Sequence, residues 1–146
     1  MVEALPKSHK ELENNRKPFT LRTTGRYVGR IGGKETGQFP HFRVPLSVGE
    51  ERMIDTFSLI VESCCPQTGS VEVSVGQICE STAGLSLDDV YLQGNLLKIG
   101  DIAQIVLRRF RLDGRPIFHF AAERDVKVLS RKRFQEQIQA NQYAAS

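Results

Sequence analysis

Residues 101–129 contain two segments in which apolar and polar side chains alternate, separated by the dipeptide Asp113-Gly114. A period of two is typical of β-strands, because successive side chains point to opposite faces of a sheet. Asp-Gly also tolerates the positive φ angles of a two-residue type I′ turn. The chain is therefore predicted to contain a long β-hairpin here, which limits its fold to classes dominated by antiparallel strands.

Shorter alternating segments precede this hairpin. They predict strands over residues 19–31, 41–47, 54–62 and 71–75. Two glycines within the first segment indicate a bend or a bulge, and Pro45 places the second segment at a sheet edge or a bulge.

Two helices are predicted as well. Residues 86–89 resemble a capping box and predict a short helix, one side of which carries Leu87, Val90, Tyr91 and Leu97. From Ser130 onward, apolar side chains at four-residue spacing predict a C-terminal helix. The predicted organisation is a flexible arm over residues 1–18, a β-barrel over 19–129 and a helix with its tail over 130–146.

The net charge of +3 is the balance of three segments of opposite sign. Residues 7–34 carry +6, residues 35–97 carry −7 and residues 98–133 carry +6. If the first and last segments meet in the fold, they form one cationic surface that attracts polyanions by neutralising phosphates. The alternative is that the mixed charges only keep the domain soluble.

The sequence contains no pattern typical of catalysis or metal binding. The three cysteines form no Cys-x-x-Cys pair, so we interpret them as reduced thiols packed like small apolar side chains. The glycine-rich residues 32–37 lack the spacing of a phosphate-binding loop. We therefore expect a protein that is not an enzyme and that uses no metal and no cofactor.

Three neighbouring parts of the chain together resemble the closing half of an oligonucleotide/oligosaccharide-binding (OB) fold. They are the segment Ile99-Gly100-Asp101-Ile102-Ala103-Gln104-Ile105, the hairpin, and the segment 121–129 with its alternating valines. This fold is a small Greek-key barrel. The resemblance implies a mainly β protein with an OB-like barrel of five to six strands, a short helix before the last hairpin and a C-terminal helix. Residues 71–79 depart from the pattern, as an additional or split third strand.

Small OB subunits of replication protein A and of telomere-capping complexes share this order of elements. The resemblance implies a non-catalytic nuclear protein that binds single-stranded nucleic acid, mainly DNA, in DNA replication, repair or telomere capping. It also implies a second OB-fold or helical subunit that contacts the C-terminal helix. No membrane contact is expected, because no apolar run approaches the ~18 residues needed for a membrane span. The alternative is an OB-like module that assembles a complex without contacting nucleic acid.

Candidate binding residues are mostly cations of the two basic segments. The predicted nucleic-acid contacts are Arg26, Tyr27, Arg30, Lys34, Arg108, Arg109, Arg111, Arg115, Arg131, Lys132 and Arg133, and the predicted partner contacts are Phe134 and Ile138. Phe118 and Phe120 share one face of their strand, opposite His119. We interpret this pair as core residues rather than as platforms for stacked bases.

Overall fold

A computed structural model describes residues 15–24, 30–31, 34–35, 41–81, 84–123 and 125–145. These residues form strands, one 3-10 turn at Leu87–Asp89 and one α-helix. The elements are β1 (Lys17–Arg22), β2 (Arg30–Ile31), β3 (Lys34–Glu35), β4 (His41–Pro45), β5 (Glu51–Ile54), β6 (Phe57–Cys65), β7 (Ser70–Gln77), β8 (Val90–Gln93), β9 (Leu96–Ile99), β10 (Ala103–Phe110), β11 (Pro116–Ala122), β12 (Val128–Leu129) and α1 (Arg131–Ala145).

The strands form two five-stranded sheets and one small hairpin. Sheet A has the order β1-β7-β6-β5-β12, sheet B has the order β4-β11-β10-β9-β8, and β2 pairs with β3. All the strand pairs are antiparallel. The chain passes from sheet B to sheet A between β4 and β5 and between β11 and β12, and from sheet A to sheet B between β7 and β8. The predicted mainly β fold with a C-terminal helix is therefore confirmed.

The sheets meet at one corner. Thr23 forms a parallel bridge with Leu107, and the backbone N–H of Thr24 donates to the Leu107 carbonyl at 3.1 Å. Within the described ranges, the two sheets share no ladder beyond this bridge, so they are not closed into a barrel. Because β1 is an edge strand, Pro18 costs no ladder hydrogen bond that a central strand would need.

One hydrophobic core lies between the two sheets. Alternate side chains of β6, β7, β10 and β11 point into it, and Phe118 and Phe120 are at most 1% exposed. Their ring centroids are 6.4 Å apart, a distance typical of favourable aromatic pairs. The interpretation of both phenylalanines as core residues is confirmed. Each buried side chain of this size contributes roughly 1.5–3 kcal/mol through removal from water.

The predicted helix after residue 86 is wrong. The capping box does form, since Ser86 Oγ accepts from the Asp88 N–H and Asp89 Oδ2 accepts from the Ser86 N–H. However, the helix ends after one 3-10 turn, and the hairpin β8–β9 follows, with Gly94 at φ +62° in its turn. A positive φ suits glycine in a hairpin turn, and the β9 ladder with β10 buries Leu97 as a strand residue.

The limits of the strands in the structure differ from the predicted limits, most of all for two of them. The segment 54–62 is divided between β5 and β6 by a turn in which Asp55 has φ +54°. The segment 19–31 corresponds to two strands in the structure. β1 begins before the segment, at Lys17, and ends at Arg22, and β2 covers Arg30–Ile31. Residues 25–29 lie outside the described part. The predicted C-terminal helix is present as α1, and Ser130 Oγ accepts from the Arg133 N–H at its start.

Candidate nucleic-acid interface

The hairpin β10–β11 is present, but its turn differs from the prediction. Among residues 111–115 only Gly114 has a positive φ, +90°. The Gly114 N–H donates to the Arg111 carbonyl at 2.9 Å, and the Arg111 N–H donates to the Arg115 carbonyl at 2.8 Å. The predicted two-residue type I′ turn is therefore wrong. The connection is a three-residue loop in which glycine alone takes the left-handed position.

A β-bulge in β10 places two neighbouring arginines on one face. Leu107 lies opposite Phe118 and Arg109 lies opposite Ile117, so Arg108 is an extra residue on β10. Strict alternation would point one of the two arginines toward the core. With the bulge, Arg108 and Arg109 both line the outer surface, while Phe110 packs against the core.

These side chains border a groove on the outer face of sheet B. The groove has a volume of about 550 Å³, and we call it the arginine groove; it is lined by Arg43, Pro45, Arg108, Arg109, Arg111 and Ile117. Pro45 of β4 lies directly opposite Ile117 of β11, so the two apolar side chains are neighbours between the cations. No carboxylate is among the described residues that line the groove, so four guanidinium groups supply the charge of its lining.

Asp113 orients the arginines at the hairpin end of the groove. Its Oδ1 accepts from the Arg115 N–H at 3.1 Å, and its Oδ2 lies 3.1 Å from Arg115 Nε and 3.9 Å from Arg111 Nε. The backbone hydrogen bond from Arg115 is the main cause that lowers the pKa of Asp113, and the side chains of Arg115 and Arg111 lower it further. All three side chains are well exposed, so these contacts set geometry more than stability.

The structure brings together only part of the predicted site. Arg108, Arg109 and Arg111 share the groove, and Arg115 lies at its hairpin end on Asp113. Arg26 and Tyr27 lie outside the described residues, and Arg30 and Lys34 lie in the hairpin β2–β3. Arg131 forms an ion pair with Glu51, whereas Lys132 and Arg133 are exposed in the first turn of α1.

Three residues of the groove were not predicted from the sequence: Arg43, Pro45 and Ile117. Arg43 belongs to the segment with a charge of −7, so a count of charge along the chain gave no reason to select it. It joins the groove because β4 pairs with β11, where Arg43 lies opposite His119. The available signal was its alternation with Phe42 and Val44, which already indicated an outward side chain.

The two basic segments meet through the backbone in the described part of the chain. Thr23 and Thr24, within the first segment, contact Leu107 directly before Arg108 of the last segment. The predicted partner contacts Phe134 and Ile138 are both partly buried, and α1 packs beside β5 and β12.

The described residues contain no group of three or more His, Cys, Asp or Glu side chains that could hold a metal ion. No helix in that part of the chain is long and apolar enough to cross a membrane. Comparison of the chain with protein-family models, with curated proteins and with solved structures gave no match.

Proposed function

We propose that this protein is a non-catalytic subunit that binds single-stranded nucleic acid, mainly DNA, in the arginine groove. The observation that supports this most is the convergence of four arginines around two apolar side chains on one open face. We propose further that the subunit serves a nuclear replication, repair or telomere-capping complex, in line with the resemblance described above.

The chemistry of the groove suits a flexible polyanion. Arginine presents a planar fork of donors that matches two oxygens of one phosphate, and it is weakly hydrated for a cation. Arg43 and Arg109 form no ion pair with any described residue, so a phosphate would not have to displace a carboxylate from them. Pro45 and Ile117 offer apolar area to the sugar or to one face of a base.

The binding we propose depends mainly on the phosphate backbone. Phe118 and Phe120 are buried and therefore do not stack on bases. The described lining residues of the groove include no aromatic side chain, so base stacking contributes little and the affinity comes mainly from phosphate contacts. We therefore expect weak sequence selectivity and a strong dependence of affinity on salt.

We propose that the two sheets belong to an OB-like barrel that the Thr23–Leu107 bridge begins to close. The order of the last strands, hairpin and helix supports this proposal.

Fluorescence anisotropy with a labelled single-stranded oligonucleotide tests the function. If all four arginines neutralise phosphates, log K should fall with log salt with a slope of about −2.8, at roughly 0.7 per phosphate. The variant Arg43→Gln/Arg109→Gln should lower the slope to about −1.4 on the same basis. A matched control, Lys98→Gln/Lys127→Gln, removes the same charge from residues that do not line the groove.

Two results would contradict the proposal. Equal slopes for the groove variant and the control variant would show that the groove is not the contact surface. No binding at low salt would show that the chain does not contact nucleic acid by itself, which favours the module that only assembles a complex.

A further inference from the structure

Arg16, which precedes β1, is bound across the outer face of sheet A. Its Nη2 donates to the carbonyl oxygens of Ser58 and Ser74 at 2.8 and 2.9 Å. Its Nε donates to Ser74 Oγ at 2.9 Å, and its Nη1 donates to Ser58 Oγ at 3.3 Å. The guanidinium lies over Gly76, where a Cβ atom would be only 2.7 Å from Nη1. Arg16 is thus attached to β6 and β7 by these four directed hydrogen bonds.

Arg131, the first residue of α1, is attached to the same face. Its Nε donates to Glu51 Oε1 at 3.0 Å, and its Nη2 donates to Glu51 Oε2 at 2.9 Å. This two-bonded geometry is the strongest form of an arginine–carboxylate contact. The Arg131 and Glu51 side chains are 27% and 18% exposed, so water screens the pair less than it screens a surface pair.

Ser58 joins the two attachments. Its hydroxyl donates to Glu51 Oε2 and accepts from Arg16 Nη1, so a continuous path runs from Arg16 through Ser58 and Glu51 to Arg131. The serine is fully buried, which removes competing water from the middle of this path. The path connects residues separated by more than a hundred positions in the chain.

The charge pattern makes Glu51 the critical member. A cation in the first turn of a helix opposes the helix dipole, and α1 begins with three of them and no acidic residue. The Glu51 carboxylate offsets this repulsion for Arg131 and also lies close enough to attract Arg16. Without it, two partly buried guanidinium groups would lie on either side of Ser58 with no carboxylate between them.

We propose that Glu51 is a latch that holds the C-terminal helix and the Arg16 side chain on sheet A together, so that release of one loosens the other. This inference does not depend on the arginine groove. Coupling of this kind is reciprocal, because both attachments share one equilibrium. It makes α1 a releasable element whose packing on sheet A depends on whether Arg16 is bound there.

Hydrogen exchange of the full-length protein, resolved by mass spectrometry, tests the latch. Glu51→Gln and Arg131→Gln should raise the exchange of the α1 amides about 10-fold or more, relative to the amides of β10 and β11. The matched control Arg133→Gln removes a neighbouring exposed cation and should leave α1 exchange unchanged or slower. The decisive variant is Arg16→Gln, which removes the guanidinium bonds to Ser58 and Ser74 and should raise α1 exchange if the two attachments are coupled.

The proposal fails if Arg16→Gln leaves α1 exchange at the wild-type value, because the two attachments would then be independent. It also fails if exchange rises equally in α1, β10 and β11, because that pattern would indicate general loss of stability. If Glu51→Gln does not fold, Arg131→Lys gives the same test, since it keeps the charge and loses the two-bonded geometry.

Discussion

Substitution of Gly76 by alanine should destabilise the native protein but stabilise a variant that lacks the Arg16 side chain. In the native protein, a Cβ at position 76 would lie 2.7 Å from Arg16 Nη1, 3.2 Å from its Cγ and 3.3 Å from its Cζ. The guanidinium must then shift away from the Ser58 and Ser74 oxygens that it binds. The backbone of Gly76 has no positive φ, so alanine itself fits the strand without strain.

The expected magnitude follows from two opposing terms. Displacement of Arg16 weakens its hydrogen bonds to Ser58 and Ser74, and each bond to a charged group contributes about 1.5–3 kcal/mol. Alanine in a strand is more favourable than glycine by roughly 0.5–1 kcal/mol. If about one such bond is lost in net terms, Gly76→Ala costs about 1–2 kcal/mol, which corresponds to a fall in Tm of roughly 3–8 °C for a domain of this size.

The background Arg16→Ala removes the clash together with the bonds. In that background only the conformational gain remains, so Gly76→Ala should stabilise the protein by roughly 0.5–1 kcal/mol. Urea denaturation of the four proteins, namely wild type, both single variants and the double variant, gives the coupling energy directly. Equal destabilisation by Gly76→Ala in both backgrounds would refute the packing described here.

Two further predictions concern pH and the hairpin loop. Burial opposes ionisation of Glu51, but the hydrogen bonds from Arg131 and Ser58, with the charges of Arg131 and Arg16, outweigh it and lower the pKa of this carboxyl. Its stabilising effect is therefore complete above the ordinary pKa of glutamate and is lost as the pH falls through the lower value of the folded state. The difference in urea stability between wild type and Glu51→Gln should be largest at neutral pH and should vanish in acid; a difference that grows in acid would contradict this assignment. At the hairpin loop, Gly114→Ala should lower the stability by about 1–2 kcal/mol, because φ is +90° there. Nothing lies within 4 Å of an added Cβ, so this cost comes from the backbone conformation alone. Gly114→Asn should cost less, and urea stability equal to wild type for the alanine variant would show that the loop relaxes.

Much of the fold follows from short-range patterns in the sequence. The alternation on either side of Asp113-Gly114 predicted the hairpin of β10 and β11, and the in-phase pair Phe118 and Phe120 predicted a core face. The four-residue spacing after Ser130 predicted α1. Such features are local because the period of side-chain direction is a property of the backbone, and burial of one face then selects the strand or the helix.

The arrangement of the candidate site required the tertiary structure. Arg43 reaches the groove only because β4 pairs with β11, and Arg108 and Arg109 share a face only because β10 contains a bulge. The Glu51–Arg131 pair joins residues 80 positions apart. Residues 90–99 became a hairpin although a local capping box precedes them, because pairing of β9 with β10 buries Leu97 and Ile99. Strand register and ion pairing over such separations depend on which elements meet in space, and no periodicity along the chain carries that information.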